Sequence, residues 1–597
     1  SRNVRTMVEE VAAHKALHRA LTDETIAAVV ERTGGVPLFV EELTRAVLES
    51  GDAKLTRSEI PVTLHDSLMA RLDRLGTAKE VAQVGAVIGG EFSYELLHAV
   101  HPIAEEDLQR ALRKLVDTEL LYIRGIPPEA MYTFKHALIQ DAAYEALLKT
   151  RRRELHRIVA NNLTRHFPEL AEAQPEILAR HYTEAGLSEQ AISYWEQAGA
   201  RAAKRAANAE AVSHLRRGLA LLEALPARAA HAEQELNILL ALGPALMTTM
   251  SSAAPDVQQI YARARQLAQD TGKVAQLFVT IWGLWLAAFS SGDREAFPKF
   301  VEELFAIARG QSDPSFLLQS YHAAWPTAFF FGNLTAMHEY AEAGLALYNR
   351  DEHRHHALVY GGHDPAVCGY TLDAFTLQIL GYPNRALKQL DQGLKLAREL
   401  KHAPTLIHSL WFGAEFYYLR RDTRMTMSII ETWLAIASGY ASTVGAANMM
   451  ILRGWSQIIS EDFQTGLPLL RDGVSRLRGT GSKFQIAYRF GRAVEALRKA
   501  GETEEALALL SECFEANMTL GERWYEAELH RLKGELLLIH NDSKADEAAH
   551  CLRAAIEVSR AQSAKSWELR ATTSLARLLD SQGGREDART ILGEIYG

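Results

Sequence analysis

One feature restricts the fold of this chain more than any other. Between residue 296 and the carboxyl end, a small residue is followed four positions later by a large one, at nearly constant spacing. The small residues are Ala296, Ala336, Ala386, Thr426, Gly466, Ala506, Ala548 and Ala588. Their partners are Phe300, Tyr340, Leu390, Ile430, Leu470, Leu510, Leu552 and Leu592. Successive small residues stand 40, 50, 40, 40, 40, 42 and 40 positions apart. From about Pro175 onward, apolar residues recur at helical spacing between short turns. A small residue lets the second helix of a pair approach the first, and the large residue one turn later fills the groove against the next pair. A lone helix pair cannot bury its apolar face, so pairs stack and share one continuous core.

Less regular copies come earlier, Ala191 with Trp195 and Ala211 with Leu215. The run Tyr182, Gly186, Ala191, Trp195, Ala198 resembles the tetratricopeptide pattern, although most copies here exceed its usual length of about 34 residues. The expectation is a mainly α fold ending in a tetratricopeptide-like α-solenoid over residues 166–597. The gap of 50 marks an insertion from Asp351 to Pro365 that holds His353, His355, His356, His363 and Asp364. Imidazole and carboxylate are metal donors. Their spacing matches no metal motif, so the insertion reads as a polar connector, with a recognition loop for a partner or small molecule as the other use. No metal ligand is assigned. Trp282, Trp285, Trp325 and Tyr417 fall at helical spacing, which suits core packing or the lining of a groove.

Residues before about 170 follow a different grammar. Helices are expected over Val4 to Ala20, from Asp23 to near Thr33, and over Leu38 to Glu49. Gly34 and Gly35 suit the turn between the last two, and Pro37 suits a first helical turn. Asp52 to Glu59 reads as a linker. Further helices follow at Leu64 to Leu75, Ala78 to Ile88, Tyr94 to Val100 and Glu105 to Thr118. Two short β runs, Leu120 to Ile123 and Met131 to Phe134, flank a Gly-Ile-Pro-Pro turn. A last helix follows Lys135. That order reads as a separate helical region over 1–58, with a winged helix expected over 59–165.

A winged helix raises the question of DNA. The candidate recognition helix carries Arg110, Arg113 and Lys114 but also Glu105, Glu106, Asp107, Asp117 and Glu119. The formal net charge of the chain is -9, which makes it a poor ligand for phosphate backbones. The basic run Lys149, Arg151, Arg152, Arg153 and Arg157 reads as a solvated helix face. The longest apolar stretch, Leu277 to Phe289, falls short of the roughly 20 residues of a membrane span, so a buried repeat helix is expected and no membrane partner. No signal segment follows Ser1. Cys368, Cys513 and Cys551 form no CxxC pair, which suits core thiols in a reducing, cytoplasmic setting.

Several segments resemble one family. Gly34-Gly35-Val36-Pro37-Leu38-Phe39 resembles the Gly-x-Pro segment in the lid of STAND-type signalling ATPases. Ile60-Pro61-Val62-Thr63-Leu64-His65-Asp66 and Tyr132-Thr133-Phe134-Lys135-His136-Ala137 resemble the winged helix of a bacterial branch. In that branch a class III nucleotide cyclase is often fused to an ATPase and then to tetratricopeptide-like repeats. Gly521-Glu522-Arg523-Trp524-Tyr525-Glu526-Ala527-Glu528-Leu529-His530-Arg531 and Ala564-Lys565-Ser566-Trp567-Glu568-Leu569-Arg570 resemble the repeats of the same branch. The resemblance implies that Gly35 and Pro37 lie on the adenine side of a bound ATP or ADP, and that His136 senses its β-phosphate. The family's Met-His-Asp reads Lys135-His136-Ala137 here, and Gly90 stands where relatives commonly carry Arg.

No Gly-x-x-x-x-Gly-Lys-Ser/Thr and no cyclase aspartate pair occurs in the sequence. The expectation is that this chain has no catalytic residue of its own, and that ATPase and possibly cyclase modules lie upstream. The solenoid is then expected to bind a protein or small-molecule effector. A maltose-activator-type transcription regulator and a free-standing protein-binding scaffold are the alternatives.

Overall fold

The computed structural model describes residues 5–8, 23–33, 36–49, 63–101, 103–226, 228–437, 443–483, 485–540 and 542–596. Most of the helix expected over Val4 to Ala20, the Gly34-Gly35 turn, the Asp52 to Glu59 linker and Ile60 to Val62 lie outside them. The chain is mainly α and divides into two compact units, Ser1–Ala198 with Arg217–Pro226, and Gly199–Arg216 with Ala227–Gly597.

In the first unit the expected helices form at Asp23–Thr33, Pro37–Glu49, Leu64–Asp73, Thr77–Ile88, Tyr94–Val100 and Glu105–Asp117. Local chemistry sets their starts. Pro37 has the fixed φ of a first helical position. Thr63 caps the next helix by accepting from the Asp66 N–H at 3.1 Å. The expected hairpin gains a third strand: β1 (Glu91–Ser93), β2 (Leu121–Arg124) and β3 (Met131–Phe134) form an antiparallel sheet in the order β1-β3-β2. β1 puts Phe92 into the core, where a Cβ on Gly85 would stand 2.7 Å from its ring. The same core takes in Leu178, Tyr182, Ala191 and Trp195, so the first tetratricopeptide-like helices pack with the sheet and its helices. Lys114 donates to the Leu75 carbonyl, and Arg152 donates to the Leu147 and Glu145 carbonyls and lies over the Tyr144 ring. Arg153 and Arg157 face solvent.

The second unit is an α-solenoid. Eight pairs run from Val274–Ser291 with Ala296–Ala308 to Lys565–Ser581 with Arg585–Tyr596. Every small residue of the sequence beat falls in the first turn of a second helix. From Ala386 onward the six small residues are buried. In the first two pairs the phase slips by one residue: Ala296 and Ala336 are half-buried, and Phe297 and Met337 hold the fully buried position. The closest approach joins Thr443–Ile459 to Phe463–Gly479, where Gly454, Gly466 and Gly473 meet the facing backbone.

The insertion folds into two short turns, Arg350–His353 and His356–Val359. Its polar groups are packed against neighbours: His353, His356 and Asp364 are buried, and His353 and His363 bond the backbone at Asn349 and Gly361. The superhelix also closes on itself. The Arg523 N–H donates to the Phe330 carbonyl at 2.9 Å, and Ser566 Oγ donates to the Gln378 carbonyl. Trp524 packs between Phe329, at 4.7 Å between ring centroids, and Tyr488, at 4.6 Å. The closing residues belong to the two segments, 521–531 and 564–570, singled out in the sequence.

A Cβ on Gly454 would lie 2.7 Å from the Leu470 backbone nitrogen, an atom that cannot rotate away. Gly454→Val is therefore expected to destabilise the second unit by about 3 kcal/mol, the upper range for overpacking, measured by urea unfolding. A stability equal to that of the parent would show that the two helices separate at no cost.

Candidate functional site: an aromatic cavity on the inner wall

The first helices of six successive pairs line the inside of the superhelix and enclose a cavity of about 310 Å³. Val274–Ser291 supplies Trp282, Trp285 and Phe289, and Pro314–Phe330 supplies His322, Phe329 and Phe330. His363 comes from the insertion just before Pro365–Leu380, Cys368 and Leu372 from that helix, and His408, Trp411 and Phe412 from Ala403–Leu419. Val444, Gln485 and Arg489 complete the wall. Val274–Ser291 is, among the described residues, the one helix long and apolar enough to cross a membrane, and half of it is buried here. Trp325, Cys513 and Cys551 are buried in the packed core, Cys368 is buried at the cavity wall, and Tyr417 lies half-buried against the core.

The wall is apolar with a few placed polar groups, the usual make-up of a small-molecule site. Trp285 donates its indole N–H to Thr327 Oγ1 at 3.0 Å, whereas Trp282 Nε1 and His408 Nε2 are buried without a hydrogen-bond partner. Arg489 is buried with its guanidinium 5.3 Å from the Trp411 ring centroid. Burial, aided by the Arg492 charge, lowers its pKa to about 10, so it is still a cation at neutral pH.

The histidines of the insertion are held one by one. His353 accepts from the Asn349 N–H and faces Ser315 Oγ. His356 Nδ1 faces Gln319 Nε2 at 2.8 Å, and His322 Nδ1 faces Gln319 Oε1 at 2.9 Å. His363 donates from Nδ1 to the Gly361 carbonyl at 3.1 Å and stacks on His408 with centroids 3.9 Å apart. His355 is exposed. Asp364 caps the Pro365–Leu380 helix, accepting from Ala366 N–H, Val367 N–H and the Tyr348 hydroxyl. Of the five insertion residues, only His363 reaches the cavity.

The residues carried over from the resemblance lie in the first unit. Gly35 is outside the described residues, and Pro37 is exposed at the start of its helix. His136 is half-buried and caps the Ala137–Glu145 helix through its carbonyl, which accepts from the Ile139 N–H at 3.0 Å. Lys135 Nζ pairs with Glu41 at 2.8 Å and with Glu119 at 3.3 Å, while Arg71 bonds Glu42 and the Thr118 carbonyl. These contacts tie the helix that begins at Pro37 to the segment that carries His136.

Sequence reasoning did not single out His322, Cys368 as a site residue, His408 or Arg489. The signal was present in the repeat itself, since residues about one period apart stand side by side on neighbouring inner helices. Trp285 meets Thr327 and His322 meets His363 at separations of 42 and 41.

No family model matches the chain. An uncharacterized protein of Rhizobium meliloti (strain 1021) is 28% identical over 571 residues, covering 94% of this chain and 55% of that protein. The chain thus spans about half the length of the curated relative it matches. Among solved structures, the apo quorum sensor NprR of B. thuringiensis aligns with a TM-score of 0.38 at 15% identity, over 62% of this chain and 97% of that one. A Signal Transduction ATPase with Numerous Domains that has a tetratricopeptide repeat sensor, from Pyrococcus horikoshii, aligns with a TM-score of 0.29 at 11% identity, over 100% of this chain and 71% of that one. The solenoid assignment rests on the helix pairs themselves.

The closing segment contains a titratable group. Glu522 is fully buried, accepts from Trp524 Nε1–H at 2.6 Å, and has its pKa raised to about 7 by burial, against the opposing pull of that hydrogen bond and of Arg489. A folded pKa above the unfolded value near 4.3 gives stability that is present at low pH and lost as pH rises through about 7. Wild-type stability is expected to fall by about 3 kcal/mol between pH 5 and pH 8 from this group. Glu522→Gln, neutral throughout, is expected to flatten that slope in urea titrations. An unchanged slope would mean that Glu522 titrates as an ordinary carboxylate.

Proposed function

We propose that this chain is the regulatory and sensor part of a larger signalling protein, and that the cavity inside its closed superhelix takes the effector. The observation that carries this reading is the cavity's place: it is walled by six successive inner helices, with Phe329 and Phe330 lying at the contact that closes the superhelix. The effector class follows from the wall. An aromatic or apolar body suits Trp282, Trp285 and Trp411, and an anionic or hydrogen-bond-accepting group suits Arg489 and the Trp282 N–H.

In this reading the sheet and hairpin of the first unit are a winged helix and residues 1–58 are the lid of a STAND-type ATPase, with Pro37 and His136 facing ATP or ADP on a module upstream. The Lys135–Glu41 pair supports it by holding the two segments together. An upstream class III cyclase as output rests on the sequence resemblance, and a cytoplasmic setting on the free cysteines. A parent polypeptide that makes no cyclic nucleotide with effector present would remove the cyclase from the proposal.

The cavity is tested directly with 8-anilinonaphthalene-1-sulfonate, an aromatic sulfonate, by quenching of tryptophan emission. One saturable site is expected. Arg489→Gln is expected to weaken it at least about tenfold, the loss of one charge-assisted hydrogen bond, and Leu372→Trp to fill the cavity and block it. Binding that neither substitution changes would place the probe elsewhere and sink the effector site.

A further inference from the structure

Two imidazoles at the cavity wall face each other in an arrangement that neutral histidines do not settle into unaided. His363 Nδ1 lies 3.1 Å from the Gly361 carbonyl, which can only accept, so that nitrogen carries the ring proton and Nε2 carries the lone pair. His322 Nδ1 lies 2.9 Å from Gln319 Oε1, and the same amide turns its Nε2 toward His356, so His322 likewise keeps its lone pair on Nε2. The two Nε2 atoms are 3.3 Å apart. Two lone pairs at that distance repel unless a proton or a metal cation lies between them. Among the described residues that line the cavity no carboxylate is present to balance a proton there, and Arg489 already brings a positive charge.

A tetrahedral zinc ion with Zn–N bonds of about 2.0–2.1 Å sets two nitrogens about 3.3 Å apart. A soft third donor is at hand, because the Cys368 thiol and one ring nitrogen from each of His322 and His363 lie within 4.8 Å of one another. Gln319 and Gly361 fix the ring orientations from behind, as outer partners of metal-bound histidines do, and His408 stacks on His363 to hold its plane. We propose that His322, His363 and Cys368 bind a zinc ion at the cavity wall, with the fourth position facing the cavity. The sequence did not show this site because only His363 belongs to the His-rich insertion, and the three residues match no metal spacing. The Zn–S bond forms as the Cys368 thiol proton leaves to solvent. One proton is released per ion, and binding weakens as pH falls.

The experiment uses the full chain, stripped of metal by a chelator and titrated with Co²⁺ and then Zn²⁺ in the absence of any effector. The expected result is one equivalent of Co²⁺ with tetrahedral d–d bands and a thiolate-to-cobalt charge-transfer band, displaced by one equivalent of Zn²⁺. Cys368→Ser is expected to abolish the charge-transfer band. Gln319→Leu, which touches no metal, is expected to weaken Zn²⁺ binding by about 10–100-fold. No thiolate band in the wild type overturns the proposal, and so does a band that survives Cys368→Ser. The wild-type spectrum decides even where a variant fails to fold. Because no effector is present, failure here leaves the effector site standing, and failure of the sulfonate probe leaves the metal site standing.

Discussion

Glu495 is a carboxylate almost wholly out of reach of water, and the inner wall of the solenoid is organised around it. It accepts from Arg421, from Arg570 at 2.7 Å and from Arg531 at 3.5 Å, and also from Tyr418 OH and Trp455 Nε1. These partners come from the helices Ala403–Leu419, Thr443–Ile459, Glu526–His540 and Lys565–Ser581, or from the turn that follows the first of them. The three guanidinium groups hold the carboxyl well below the usual carboxylate range despite its burial. A buried ion pair adds little net stability over a well-packed apolar core, but a buried charge left without its partners is costly. The network therefore acts by excluding alternatives. A superhelix wound wider or tighter would leave Glu495, or the Glu415–Arg492 pair beside it, buried and unpaired.

That constraint explains which parts of the fold were legible. The beat of small and large residues could be read because it depends on contacts one helical turn apart, and the second helices begin where it said. Its phase failed at Ala296 and Ala336. There Phe297 and Met337 take the buried place, and a large residue at that position is invisible to a search keyed on small ones. β1 was missed for a local reason: three residues after two glycines give no alternation to detect, and only pairing with β3 makes Glu91–Ser93 a strand.

Of the cavity, only Trp282 and Trp285 were legible, as residues suited to core packing or to lining a groove, and the reason is geometric. Its polar groups include those at positions 322, 363, 368, 408, 485 and 489. They converge because the superhelix has one particular radius, which the Glu495 network sets at long range. The His-rich insertion drew attention by composition, yet two of its four imidazoles serve neighbours: His353 holds Asn349 and Ser315, and His356 meets Gln319. Composition located histidines, whereas register between helices decided which of them face the inside.

The two segments that stood out as specific in the sequence, 521–531 and 564–570, now have a common physical role. Trp524 is wedged among Phe329, Phe375 and Tyr488, Arg523 reaches the Phe330 carbonyl, and Ser566 reaches the Gln378 carbonyl. Arg570 runs from the same segment to Glu495 and Glu528. Closure and the charged network thus share residues, and Phe329 and Phe330 share the closure with the cavity wall. A molecule in the cavity shifts the balance between closed and open forms only by binding them unequally. Phe329 belongs to both sites, packing on Trp524 and lining the cavity, so in the proposed reading an occupant that presses on Phe329 also acts on the closing contact.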